Sequence, residues 1–176
     1  MSDRSGHSVI AVPVPALDDV VRERTARYDA SFLSADPAFI HAHITLLGPW
    51  LTDPTPDDLS VVAGVLATEP PFAFELAEVR EFAGGIVHLV PEPTGPFTRL
   101  TARLAEIFPQ TPPYEGRYPD LVPHLTLEHR STGATTAGVQ GELGARLPVR
   151  ACAEQVHLQW WANHDCHVRH TWRLGG

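Results

Sequence analysis

Two histidines, each followed by a threonine two residues on, carry the chemistry this sequence offers: His43-Ile-Thr45-Leu46 and His124-Leu-Thr126-Leu127. Imidazole titrates near neutral pH, so a histidine can both take and give a proton there. Displacement in line at a phosphodiester needs both acts at once. A base serves the attacking oxygen and an acid serves the leaving oxygen, on opposite sides of phosphorus. On a strand, residues two apart leave the same face, so each threonine hydroxyl can donate to a non-bridging phosphate oxygen beside its histidine. Proton transfer of this kind contributes about 10²–10⁴-fold per histidine and requires no metal.

The bare pattern is weak and its context is strong. Ten histidines and fourteen threonines in 176 residues give about 0.8 His-x-Thr matches by chance, and about 0.08 when Leu must follow. This chain has two, 81 residues apart, each on an apolar strand.

The elements that must position them repeat in order. Residues 8–14 read as a β-strand, 17–32 as a helix, 39–47 as the first His-x-Thr strand closed by Gly48-Pro49, 55–66 as a helix, and 72–79 as a strand. Thr55-Pro56-Asp57-Asp58 is a helix start, with a capping hydroxyl, Pro at the first position and acids in the first turn. After Gly84-Gly85 the order resumes: strand 86–91, amphipathic helix 94–108, a loop rich in Pro, Tyr and Gly, the second His-x-Thr strand, and a glycine-weakened helix 135–147. Residues 149–161 and 166–174 read as a closing pair of strands. The spacing from Ile10 to His43 is 33 residues, and from Val87 to His124 it is 37. These spacings predict one α+β domain over 1–176, with repeats at about 8–83 and 86–174. It should be bilobal, two pseudo-symmetric lobes each with a mainly antiparallel sheet and outer helices, the active-site cleft lying between the sheets.

Composition limits the partners. There are 21 acidic and 13 basic residues, the latter all arginine, for a net charge of −8. This argues against an extended nucleic-acid surface and for a small phosphate ester or the end of a strand. With no long apolar run and two isolated cysteines, Cys152 and Cys166, the expectation is a cytoplasmic protein without membrane contact. A monomer without cofactor is expected.

The stretches His43-Ile-Thr-Leu-Leu-Gly-Pro-Trp50 and Pro112-Pro-Tyr-Glu-Gly-Arg-Tyr-Pro-Asp-Leu-Val-Pro-His-Leu-Thr-Leu127 resemble the two signature regions of the 2H phosphoesterase superfamily, in its 2′-5′ RNA ligase-like branch. The resemblance spans essentially the whole chain. It implies a bilobal fold and metal-independent hydrolysis, or reversible ligation, at 2′,3′-cyclic phosphates, 2′-5′ linkages or related small cyclic phosphodiesters. By position, His43, Thr45, His124 and Thr126 match the family's catalytic tetrad. Trp50 stands where Phe is commoner, and Gly48 where relatives often carry an aromatic residue.

Other candidates have plainer readings beside the functional one. Tyr114 can stack on a base and Arg117 can pair with phosphate, as can Tyr118 and Arg130 in weaker form; Trp50 joins Tyr114 and Arg117 as an expected substrate contact. His41 shares the parity of His43 and is expected at the cleft rim, with a metal-binding His41/His43 pair as the sharper alternative. Glu128 continues the face of His124 and Thr126. The run His164-Asp-Cys166-His167-Val-Arg-His170 invites a zinc reading that its spacing does not support. Trp160 and Trp161 are expected in the core and at the rim. A competing function is nucleotide or RNA-end binding without turnover.

Overall fold

The helices begin and bury themselves as their sequences dictate. In the computed structural model, which describes residues 6–117 and 121–176, α2 (Pro56–Ala67) opens on a capping box: the Thr55 hydroxyl accepts from the Asp58 amide and the Asp58 carboxylate accepts from the Thr55 amide. α3 (Gly95–Ile107) buries Phe97, Leu100 and Leu104, one stripe at helical spacing. Phe97 meets Phe72 and Phe74 edge-on, with ring centroids 5.0 and 5.2 Å away. α1 (Asp18–Asp29) and the short α4 (Thr136–Leu143) complete the set.

Among the described residues, eight strands form one antiparallel sheet: β1 (His7–Pro13), β2 (His43–Trp50), β3 (Phe72–Glu81), β4 (Ile86–Glu92), β5 (Leu125–His129), β6 (Val149–Ala153), β7 (Gln155–Trp161) and β8 (His167–Arg173). The order across it is β6-β3-β4-β5-β2-β1-β7-β8. Between β5 and β2 the pairing is confined to Ile44 opposite Leu125. That bridge divides the sheet into halves of four strands, the two lobes of an α+β fold. The expected pair of separate sheets is thus one curved sheet, continuous through this bridge.

Two details differ from the sequence reading. The first His-x-Thr strand does not stop at Gly48-Pro49; it runs to Trp50, with Ser8 opposite Trp50 and Ile10 opposite Leu47. The register shifts on both sides of the Ile10–Leu47 pair, so β2 carries two extra residues as bulges, a setting in which proline is tolerated. Gly48 fits because a Cβ there would lie 3.3 Å from Val9 and Thr45 side-chain carbons. Residues 149–161 are two strands, not one: β6 pairs with β3 and β7 pairs with β1, at distant places in the sheet. The lobe of β1, β2, β7 and β8 therefore draws strands from both ends of the chain, and the lobe of β3, β4, β5 and β6 takes its middle, residues 72–153.

Core packing fixes the bridge. Ile44, Leu46, Leu47, Leu89, Leu100, Leu104 and Leu125 are all at most 1% exposed, and each such side chain contributes about 1.5–3 kcal/mol by burial.

Candidate active site

Because Ile44 and Leu125 point into the core, their neighbours in the chain point the other way. His43 and Thr45 flank Ile44 on β2, while His124 and Thr126 flank Leu125 on β5. Antiparallel pairing sets the two motifs in opposite directions, so the histidines take opposite corners of a four-cornered group and the threonines take the other two. The bridge that joins the lobes therefore gathers all four predicted residues on one face.

Both histidines are held alike. The Nδ1–H of His43 donates to the His41 carbonyl at 2.7 Å, and that of His124 donates to the Val122 carbonyl at 2.8 Å. Since a carbonyl only accepts, the proton sits on Nδ1 and each Nε2 keeps its lone pair. The peptide carrying the His41 carbonyl is anchored in turn: Asp18 Oδ1 accepts from the amides of His41 at 2.6 Å and Ala42 at 3.3 Å.

Their surroundings disfavour charge. Burial pushes the His43 pKa down from 6.5 to about 4, an effect its bond to the His41 carbonyl opposes and the neighbouring His124, His41 and His7 reinforce. Burial also lowers His124, with His88 adding to the effect. At pH 7 His43 is a neutral base, and an anion bound beside it would raise both values.

A cavity of about 520 Å³ opens over this face, lined by His43, Thr45, Thr126, Tyr114, Arg24 and Trp161 among others. The Trp161 ring lies 5.5 Å from that of His43. Tyr114 stacks on His124 with centroids 6.0 Å apart. Tyr114 and Glu115 both have left-handed backbones, φ 51° and 58°, a strained turn of the kind found at binding sites.

The remaining predicted residues divide. Tyr114 is at the site as expected. Trp50 is not a cavity residue: 4% exposed, it lies in the core edge-on to Phe108 at 5.2 Å, sharing the parity of the buried Ile44 and Leu46. Arg117 is exposed and paired with Glu115 at 3.0 Å, away from the cavity lining. Tyr118 lies outside the described residues. Arg130 donates to the Ala83 carbonyl at 3.1 Å. His41 is not at a rim but 1% exposed, its Nδ1 facing Arg22 at 3.3 Å and its Nε2 facing the Phe32 carbonyl at 3.3 Å. Among the described residues, no three His, Cys, Asp or Glu side chains gather to hold a metal, the 164–170 run included.

Glu128 is far from a plain strand-end acid. It accepts from Arg24 Nε at 3.2 Å and from the hydroxyls of Tyr28 and Thr132, while Arg24 also meets Glu142 at 2.5 Å. Arg24 is 5% exposed, and α1 carries it to the cavity wall. The sequence reading missed Arg24 and Tyr28, whereas Trp161, expected at the rim, lines the cavity. Strand alternation is what separates Trp161, opposite His7 on β1, from the buried Trp160.

Comparison with known proteins agrees with this geometry. No curated protein matches the chain. The chain is similar to the crystal structure of a phosphoesterase at 17% identity, covering 96% of this chain and 97% of that one with a TM-score of 0.58. It is similar to E. coli LigT complexed with 3′-AMP at 16% identity, 96% and 97% coverage and TM-score 0.58. TT0787 of Thermus thermophilus matches at 19% identity, 97% and 98% coverage and TM-score 0.56. At these identities the likeness establishes the fold. A model of the 2′-5′ RNA ligase superfamily matches residues 13–165, most of the chain. The chain belongs to the 2′-5′ RNA ligase superfamily, within the 2H phosphoesterases.

Proposed function

We propose that this chain is a metal-independent phosphodiesterase that opens 2′,3′-cyclic phosphates, 2′-5′ linkages or related small cyclic phosphodiesters, or forms them in reverse, with His43 and His124 as base and acid. The observation that carries the reading is the pairing of two histidines with matched Nδ1 bonds around the Ile44–Leu125 bridge, each beside a threonine. Both Nε2 atoms are available for proton transfer on either side of a phosphorus held between them.

In the hydrolytic direction, water attacks phosphorus and His43 Nε2 takes its proton as the new P–O bond forms. The opposite P–O bond breaks, and its oxygen receives a proton from His124 Nε2. His43 starts as the base because burial keeps it neutral; His124 gains its proton when the anionic phosphate arrives. Thr45 and Thr126 donate to the non-bridging oxygens, holding the phosphorus in line. The ligand chemistry of relatives supports a small nucleotide substrate, since E. coli LigT has been crystallised with 3′-AMP, NADP⁺, phosphate and ATP.

The test is a panel of 2′,3′-cyclic mononucleotides, ADP-ribose cyclic phosphate and 2′-5′-linked dinucleotides, assayed with and without EDTA. Turnover of at least one member, unchanged by chelator, is expected. Absence of turnover across the panel, with tight binding of intact ligand, would replace the enzyme reading with binding alone.

A further inference from the structure

Among the described residues, three histidines make the same bond. The Nδ1–H of His43 donates to the His41 carbonyl at 2.7 Å, that of His124 to the Val122 carbonyl at 2.8 Å, and that of His88 to the Ile86 carbonyl at 3.0 Å. Each reaches back two residues along its own chain and leaves Nε2 with its lone pair. The proposed mechanism uses two of the three and leaves His88 without a task.

His88 stands beside the second motif. It pairs with Thr126 across β4 and β5, one position beyond the Leu89–Leu125 core pair, so it lies on the face that carries the tetrad. The corresponding place on β1, opposite Thr45, holds Ala11. His88 is 1% exposed and absent from the walls of the cavities beside His43 and His124, so it meets other side chains and not a ligand. One of those side chains is His124. Phe82 lies flat on His88, with centroids 3.7 Å apart and planes at 14°. The His124 imidazole stands across this stacked pair, 4.9 Å from Phe82 at 85° and 5.4 Å from His88 at 71°.

The two catalytic histidines differ in their support. The peptide whose carbonyl accepts from His43 has the Ala42 N–H, and Asp18 holds it. The peptide whose carbonyl accepts from His124 joins Val122 to Pro123, and proline has no N–H by which to anchor it. Val122 is also 40% exposed and lies outside any strand. The orientation of His124 therefore depends more on the rings packed against it. Resting on the phosphodiesterase reading, we propose that His88 is a positioning residue for His124: with Phe82 it forms a ring brace that holds the His124 imidazole at the angle of its Val122 bond, keeping Nε2 aimed at the leaving oxygen. The bond from His88 Nδ1 to the Ile86 carbonyl fixes the brace itself. Tilting of His124 would carry Nε2 off the leaving oxygen, and a misplacement of about 1 Å costs about 10²-fold in rate.

The test pairs kinetics with the protonation site of His124. Wild type, His88→Ala, His88→Phe and Phe82→Leu are assayed on the panel member that wild type turns over best, with each fold checked by circular dichroism. His88→Ala and Phe82→Leu should lose about 10- to 100-fold in kcat, with KM within about twofold of wild type. His88→Phe keeps a ring against His124 and should recover most of the loss. Phe82 is half-buried, so its variant tests the brace even where His88→Ala fails to fold. Wild-type kcat in folded His88→Ala or in Phe82→Leu would overturn the brace, as would His88→Phe no better than His88→Ala. In parallel, long-range ¹H–¹⁵N spectra of ¹⁵N-histidine-labelled protein at pH 8, without substrate, tell which ring nitrogen of His124 carries the proton. Wild type should hold it on Nδ1, and in His88→Ala and Phe82→Leu a share should move to Nε2; an unchanged Nδ1–H form in both variants would overturn the brace. Wild type without turnover on the panel refutes the phosphodiesterase reading alone, because the protonation site of His124 still decides whether the brace holds it.

Discussion

His43 refuses a proton in the folded state that it accepts once unfolded, and this has a measurable effect on stability. Its pKa falls from 6.5 to about 4, chiefly by burial. Between these values the unfolded chain binds more protons, so stability is fully present above pH 6.5 and is lost as pH falls toward 4. At pH 5.5 the loss from this one group is RT ln of the ratio of the two binding polynomials, about 1.4 kcal/mol. His41, His88, His124 and His157 are all lowered by burial and add in the same direction. His43→Gln keeps a polar side chain of similar reach and removes the titration. Urea unfolding at pH 8.0 and pH 5.5, for wild type and His43→Gln, isolates the His43 share. The variant should lose about 1.4 kcal/mol less than wild type between the two pH values. Equal losses would refute the argument that burial holds His43 neutral, and with it the assignment of His43 as the starting base.

Thr45→Val and Thr126→Val keep the strand and remove one hydroxyl each; kcat/KM should fall about 10- to 100-fold, the worth of a hydrogen bond to a charged group, read by steady-state assay on the preferred substrate. Arg24→Met leaves the Glu128 carboxylate buried without its cation and should cost about 3–5 kcal/mol in urea unfolding, much of it recovered in Arg24→Met/Glu128→Leu; full stability of the single variant would mean that Glu128 is not held as described.

The parts of this structure legible in the sequence are those set by local chemistry or by periodicity. Thr55-Pro56-Asp57-Asp58 announces α2, and the structure has that capping box. The Phe97, Leu100, Leu104 stripe announces α3, and alternation places Ile44 and Leu46 in the core opposite His43 and Thr45. What escapes depends on pairing at long range. Pro49 reads as a strand end unless the partner strand tolerates a bulge, and a strand ended there leaves Trp50 without its place in the ladder opposite Ser8. Residues 149–161 read as one strand because nothing local tells β6 to join β3 and β7 to join β1. Arg24 reads as a solvated helix residue until Glu128, 104 positions later, is folded against it. The tetrad itself is visible as two motifs, whereas its arrangement at four corners around one bridge requires the fold.

The central claim is that His43 and His124 act together on one phosphorus. Its most direct test is the rate of 2′,3′-cyclic nucleotide or 2′-5′-dinucleotide hydrolysis by wild type, His43→Ala and His124→Ala, measured with EDTA present and with the fold of each variant checked by circular dichroism. Each variant should lose at least about 10²-fold in kcat. Wild-type turnover by either folded variant would contradict the account.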